Sequence, residues 1–301
     1  MARLGLRAGG ERRGRVSELV TVLDEAPSTG RAYLRALRHL RRPVRSSIVP
    51  AIAFERQDVR IDASWLGALH EVFGSAGGGV PLTLPHVLAG GLQLAVVTDE
   101  AFPLNIVGAV HVRSEMEQLA PISSGGRFTV RVALEGIDDV ERGGEHTLLT
   151  ELLDEHGERL WVGRSVNLTL DPHAPGKKRR GERPALPEAE TSVRFDAPGG
   201  IGRRYGAISG DRNPIHMSRY TARLFGFKRA IAHGMWTVGR SLAAMGHPAG
   251  GPGDKLTVTF KRPLLLPGEV EVRYGGEEGR FWSINLGEGS VHVEGQLSVA
   301  G

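Results

Sequence analysis

The segment Ser209-Gly-Asp-Arg-Asn-Pro-Ile-His216 sets a carboxylate and an imidazole five positions apart, with Gly210 and Pro214 as punctuation. Pro214 disfavours the helical region for Asn213, and Gly210 permits backbone angles that strain other residues. The stretch from Asp211 to His216 therefore reads as extended or turned. Two titratable side chains on such a loop can converge on one point. There Asp211 and His216 can divide general acid/base work, one holding a water as base and the other delivering a proton. Asn213 can orient the loop or the water through its amide, and Ser209 can hydrogen-bond the loop's own backbone.

A second segment, Ala232-His-Gly-Met235, follows a short way downstream. From Met235 onward, Val238, Leu242 and Met245 recur at helical spacing, and Gly246 marks the stop. The first N–H groups of such a helix have no partner within it and lie at the positive end of its dipole. The Gly234 N–H therefore suits an oxygen that gathers negative charge during reaction. An acid/base pair beside such a donor is equipped to add water to an α,β-unsaturated thioester, or to remove it again. Charge collects on the thioester oxygen when Cα loses a proton or Cβ is attacked. Tyr205, His233 and Met235 flank these segments as candidate substrate-binding residues, although a histidine just before a helix more often caps or packs.

Taken together, Tyr205-Gly-Ala-Ile-Ser-Gly-Asp-Arg-Asn-Pro-Ile-His216, Ala222, Gly226-Phe227 and Ile231-Ala-His-Gly-Met235 resemble the signature of the MaoC-like, or hydratase 2, family. That resemblance implies a hotdog fold and an (R)-specific enoyl-thioester hydratase or 3-hydroxyacyl-thioester dehydratase. It implies Asp211 and His216 as the catalytic pair, Asn213 and Ser209 as their support, and the Gly234 N–H in the oxyanion hole. It implies neither metal nor redox cofactor; coenzyme A or pantetheine enters only as part of the substrate. An enoyl or 3-hydroxyacyl thioester is the implied partner, and acyl carrier protein and a homodimer stay open as further partners. Two competing readings are a hotdog acyl thioesterase and a non-catalytic acyl-thioester-binding protein. The complete set Asp211, Asn213 and His216 argues against the latter, because binding needs no acid/base pair.

The elements that must position these residues occur twice. In the second half, the helix near His233 leads to the strand Leu256-Thr-Val-Thr-Phe260 and on to Arg262-Pro-Leu-Leu-Leu-Pro267. In the first half, an apolar helix from Pro85 through Val97 leads to Val110-His-Val-Arg-Ser114 and Met116-Glu-Gln-Leu-Ala-Pro121. Alternating strands follow in each: Phe128, Val130, Val132 and Leu134 share one face, as do Val270, Val272 and Tyr274. Further strands are expected at 160–170, 281–286 and 291–299, with a hairpin at Asp154-Glu-His-Gly157. A long apolar helix followed by antiparallel strands, given twice, predicts an α+β double hotdog. The expected organisation is a basic extension at 1–45, a noncatalytic hotdog repeat at 46–170, a linker at 171–190 and a catalytic MaoC-like repeat at 191–301. The first repeat has Ser64-Trp-Leu-Gly-Ala-Leu-His-Glu-Val-Phe-Gly74 where the second has its motif, and His70 there reads as a surface or packing residue. The stretches 82–88, 98–103 and 110–112 also resemble the noncatalytic half of actinobacterial two-hotdog dehydratases. Tyr33, Leu34, Leu37 and Leu40 spell a short amphipathic helix that packs on the body or stays mobile.

Composition narrows the rest. The 301 residues hold no cysteine, which excludes disulfides and thiolate metal sites and fits a cytoplasmic protein. No apolar run is long enough to predict a transmembrane helix, and the basic N-terminus lacks the apolar stretch of a secretory signal. Thirty-eight basic residues against thirty-four acidic leave a net charge of only +4. Nucleic-acid binding is not expected, because the basic residues are not interleaved with aromatics. Arg203, Arg204, Arg212, Arg219, Arg223, Lys228 and Arg229 do crowd around the motif, where some of them could meet the phosphates of coenzyme A or the acidic face of an acyl carrier protein.

Overall fold

The computed structural model describes residues 20–174 and 185–300, apart from 26, 28 and 277. The basic run Lys177-Lys-Arg-Arg180 and most of the expected linker lie outside the described residues. A short strand β1 (Val20–Val22) and helix α1 (Thr29–Ala36), continued by a 3-10 turn over Leu37–Arg41, come first. The first repeat then runs β2 (Ala53–Arg60), α2 (Ala63–Phe73), α3 (Leu84–Val97), β3 (Val110–Gln118), β4 (Arg127–Val140), β5 (Gly143–Leu153) and β6 (Arg159–Leu170). The second runs β7 (Thr191–Ala197), α4 (Ile201–Ser209), α5 (Pro214–Met217), α6 (Arg219–Arg223), α7 (Gly234–Ala244), β8 (Lys255–Phe260), β9 (Gly268–Gly275), β10 (Arg280–Asn285) and β11 (Ser290–Ser298).

The eleven strands of the described residues form one sheet in the order β1-β2-β4-β5-β6-β3-β8-β11-β10-β9-β7. Read inward from its own edge, each repeat has the same order: β2-β4-β5-β6-β3 and β7-β9-β10-β11-β8. The two meet where β3 and β8 pair antiparallel, from Arg113 opposite Thr259 to Glu117 opposite Lys255. That is a double hotdog in which one chain supplies both units. The alternation behind it is physical: Phe128, Val130, Val132 and Leu134 are all buried on one face of β4, as are Val270 and Val272 on β9. The long helix of the first repeat, α3, buries Val87, Ala89, Leu92, Ala95 and Val96 against the sheet that wraps it.

The N-terminal region departs from expectation. β1 adds to β2 in parallel, so residues 20–22 belong to the sheet rather than to a separate extension. Along α1 and the turn after it, Ala32, Ala36 and His39 are buried, whereas Leu34, Leu37 and Leu40 are exposed. Small residues there permit close approach, and the leucines expected to pack face outward.

The repeats are locked together by α2. Asp62 caps it by accepting hydrogen bonds from the N–H groups of Ser64 and Trp65. The Trp65 indole donates to the Ile208 carbonyl at 3.0 Å. In the other direction, the Trp236 indole of α7 donates to the Val72 carbonyl at 2.9 Å. His70 is a buried packing residue whose ring nitrogens meet Ser75 Oγ and the Gly79 carbonyl. Among the described residues, no helix is long and apolar enough to cross a membrane.

Candidate active site

α4 delivers the chain to the motif and ends at Gly210, whose φ of 75° is the left-handed conformation of a helix stop. Asp211 N–H donates to Ser209 Oγ at 3.2 Å, and Asn213 N–H donates to Asp211 Oδ1 at 3.0 Å. Asn213 Oδ1 then caps α5 by accepting from Ile215 N–H. Pro214 occupies the first turn of α5, where its missing N–H costs nothing. Only residues 210–213 are therefore the loop that the sequence predicts; His216 sits on a helical turn that the proline starts rather than prevents.

His216 is buried, and its Nδ1–H donates to the Ile231 carbonyl at 2.8 Å. That bond assigns the tautomer with a lone pair on Nε2. Burial lowers the His216 pKa, with Asp211 and the Ile231 bond acting in the opposite sense, so the neutral base is the favoured form. The Asp211 side chain is 49% exposed, which leaves its carboxylate open to a ligand.

His233, Tyr205 and Met235 lie on the other side of the loop. All three are buried. His233 Nε2–H donates to the backbone carbonyl of Asp211 at 3.0 Å, and its ring stacks on His216 with centroids 3.7 Å apart. The Tyr205 ring packs tilted against His233 with centroids 4.9 Å apart. Burial and the neighbouring His216 push the His233 pKa down to about 4. Of the residues expected to touch substrate, His233 and Tyr205 thus pack as rings beside His216, and Met235 is buried in the first turn of α7. Asp211, His216 and His233 also bring one ligand atom each within 4.8 Å of one another. Each imidazole already commits a nitrogen to a backbone carbonyl, and stacked rings lie side by side rather than converging on a centre. The arrangement suits proton transfer better than a metal shell.

His233 is also the N-cap residue of α7, which places the Gly234 N–H at the start of that helix beside the pair. The N–H has no hydrogen-bond partner among the described residues. A Cβ at Gly234 would lie 2.5 Å from Phe260 Cε1. The glycine thus makes room for the Phe260 ring. Gly234→Val should push Phe260 and the helix start apart and lower turnover by about a hundredfold or more, the loss expected for one oxyanion donor. A folded Gly234→Val protein with wild-type kcat would remove this N–H from the site.

Two glycines of α4, Gly206 inside the motif and Gly202 upstream of it, set the loop on that helix. A Cβ at Gly206 would lie 2.7 Å from the Asp211 carbonyl oxygen, and one at Gly202 would overlap the His216 carbonyl oxygen. The signal was present as Gly202-x-x-x-Gly206, two glycines on one helix face.

Buried histidines also set the acid stability. Burial lowers His146 and His292, both almost fully buried, to about 4, and desolvation lowers the half-buried His86 and His111 in the same direction. Between that value and the usual 6.5, the unfolded chain binds protons that the folded chain refuses, so stability rises with pH across that window. The expected result is a thermal midpoint that is flat above pH 7 and falls as pH drops from about 6.5 to about 4. An unchanged midpoint across that interval would contradict the burial of these rings.

The fold is a double hotdog, with a carboxylate and two imidazoles gathered where α4, α5 and α7 meet. The model of the MaoC like domain matches residues 189–293, which include the loop and α7. The 3-hydroxyacyl-thioester dehydratase X of Mycobacterium tuberculosis is 31% identical over 248 residues, covering 79% of this chain and 85% of that one. The crystal structure of HtdX from Mycobacterium tuberculosis superposes with a TM-score of 0.70 at 27% identity, over 82% of this chain and all of that one. A Mycobacterium tuberculosis protein with a double hotdog fold shares the fold at a TM-score of 0.50 and 11% identity, over 84% of this chain and 94% of that one. The chain belongs to the MaoC-like dehydratase family.

Proposed function

We propose that the protein is a hydro-lyase that dehydrates (R)-3-hydroxyacyl thioesters and, in reverse, hydrates trans-2-enoyl thioesters. The observation that carries this reading is an open carboxylate and a neutral imidazole lone pair beside an unpartnered helix N–H. In hydration, a water donates hydrogen bonds to the Asp211 carboxylate and to His216 Nε2. His216 takes one proton as the water oxygen bonds to Cβ and the double bond opens. The thioester oxygen, gathering charge, accepts from the Gly234 N–H. The Asp211–His216 pair then returns a proton to Cα, so the protein carries no net proton away. Ser209, Asn213, Tyr205 and His233 hold the pair in place, and Met235 packs the first turn of α7.

The thioester class follows the name of the 31% identical relative. Coenzyme A is the simplest carrier, and the exposed cations Arg212, Arg223 and Lys228 beside the loop support contact with its phosphates or with an acidic carrier protein. The deciding assay follows crotonyl thioester in two channels, loss of the conjugated double bond and release of free thiol. Loss of the double bond without thiol release is expected. Thiol release with the double bond retained would make the protein a thioesterase, and binding without either would make it a carrier of acyl thioesters.

A further inference from the structure

The positive charge of the chain is concentrated at one end. Residues 1–54 hold eleven arginines against four acidic residues, whereas residues 55–301 hold 27 basic residues against 30 acidic ones. The net +4 therefore belongs to the N-terminal end, and the rest of the chain is slightly acidic. No aspartate or glutamate occurs from Ala26 to Phe54, a stretch that carries Arg31, Arg35, Arg38, Arg41, Arg42 and Arg45. An asymmetry of this kind points to contact with a polyanion or an anionic surface.

α1 and the 3-10 turn after it sort this stretch into three rows. Ala32, Ala36 and His39 face the body and are buried. Leu34, Leu37 and Leu40 form the second row, at 69%, 56% and 51% exposure. Arg35, Arg38 and Arg41 each follow a leucine by one residue, and all three are exposed. Steps of three keep each row close to one face, because the turn over Leu37–Arg41 has three residues per turn. A surface helix ordinarily turns its leucines to the core. Here a polar ring goes inside instead, and the buried His39 Nδ1 has no hydrogen-bond partner among the described residues. The segment is thus not arranged for the packing of this chain alone. Nor do the chain's own acids hold its arginines. Among the described residues, Arg38 meets Glu100 at 3.9 Å with both groups exposed, and Arg35 and Arg41 enter no ion pair.

Whatever covers the leucines must be apolar and must carry negative charge beside the apolar part. Residues 1–19 do not answer to that, since they hold five arginines against two glutamates. A second copy would bring the same arginines face to face. A nucleic acid supplies charge but leaves the leucines in water. An acidic protein would need a groove shaped to three leucines, whereas a fluid leaflet moulds itself to them. We infer that α1 and the turn after it dock on an anionic lipid bilayer, with Leu34, Leu37 and Leu40 in the acyl region and Arg35, Arg38 and Arg41 on the headgroup phosphates. The protein lies on the membrane through these rows and does not cross it. The inference is independent of the dehydratase reading.

The test floats the full-length protein with vesicles of phosphatidylcholine alone and with vesicles of equal parts phosphatidylcholine and phosphatidylglycerol. Binding to the anionic vesicles should exceed binding to the neutral ones by about tenfold or more, and should weaken as salt is raised. The triple variant Leu34→Gln, Leu37→Gln, Leu40→Gln keeps the charge and the helix propensity, yet should lose about tenfold in binding. The triple variant Arg35→Gln, Arg38→Gln, Arg41→Gln should lose the preference for anionic vesicles. All six side chains are exposed, so both variants should keep the wild-type thermal midpoint. Wild-type protein that does not float with anionic vesicles overturns the inference. A leucine variant that binds as well as wild type also overturns it, because adsorption is then by charge alone, as on a nucleic acid. A leucine variant with a lowered midpoint would place the leucines against the chain itself, and wild-type self-association that the variant abolishes would place them against a second copy. Either result overturns the inference as well.

Discussion

Asp211→Asn and His216→Ala should each lower turnover of crotonyl thioester by about a hundredfold to ten-thousandfold, the range of a lost general acid or base. On the proposed mechanism the two side chains share one water, so removing either breaks the same step, and the double variant should be little slower than the worse single one. The geometry adds a pH signature. In the proposed mechanism His216 works through an unprotonated Nε2, so kcat/KM should fall on the acid side as that nitrogen is occupied. Burial lowers the His216 pKa, which places this limb below the ordinary imidazole range. In His216→Ala that limb should disappear, whereas a variant that merely destabilised the fold would keep it. Near-wild-type turnover in either single variant would sink the assignment. The asparagine variant is the sharper probe, since it keeps the Oδ1 that accepts from Asn213 N–H and removes only the charge.

The site was more legible in the sequence than the way it is held. Asp211, Asn213 and His216 announce themselves because acid, amide and imidazole must stand close in the chain to share a loop. The double fold was legible for a similar reason, since each repeat spells its helix and strands in the same order. Pro214 was misread because proline's restriction on its predecessor and its fitness for a helix's first turn are both local rules. Tertiary contact with α4 selects between them. His233 looked like a substrate ligand because it adjoins Gly234; only the fold shows that its ring turns inward to the Asp211 carbonyl. Phe260, His86 and His111 were invisible as neighbours of the site. They come from α3, β3 and β8, and only the β3–β8 junction makes them adjacent.

Gly202→Ala should lose turnover by about a hundredfold or more, although residue 202 touches no substrate and the change adds one methyl group. The added Cβ would overlap the carbonyl oxygen of His216 and lie 3.0 Å from its carbonyl carbon. Those are backbone atoms, so no rotamer change relieves the collision; α5 or α4 must move as a unit. α5 is tied in turn to Ile231 through the His216 imidazole and the Ile215 carbonyl, and Ile231 leads directly into α7. Any displacement that frees the alanine therefore shifts Nε2 relative to both the Asp211 carboxylate and the Gly234 N–H. A misplacement of about an ångström is enough for a loss of this order. Overpacking at a buried backbone contact should also cost about 1–3 kcal/mol of stability. Gly200→Ala, two residues earlier, is the matched comparison, because a Cβ there would meet only Arg203 Nη2 at 3.8 Å. It should keep both activity and thermal midpoint. The loss in Gly202→Ala should fall on kcat more than on KM, since the acyl chain and carrier contact other surfaces. A folded Gly202→Ala protein with the kcat of Gly200→Ala would mean that α4 does not set the position of His216.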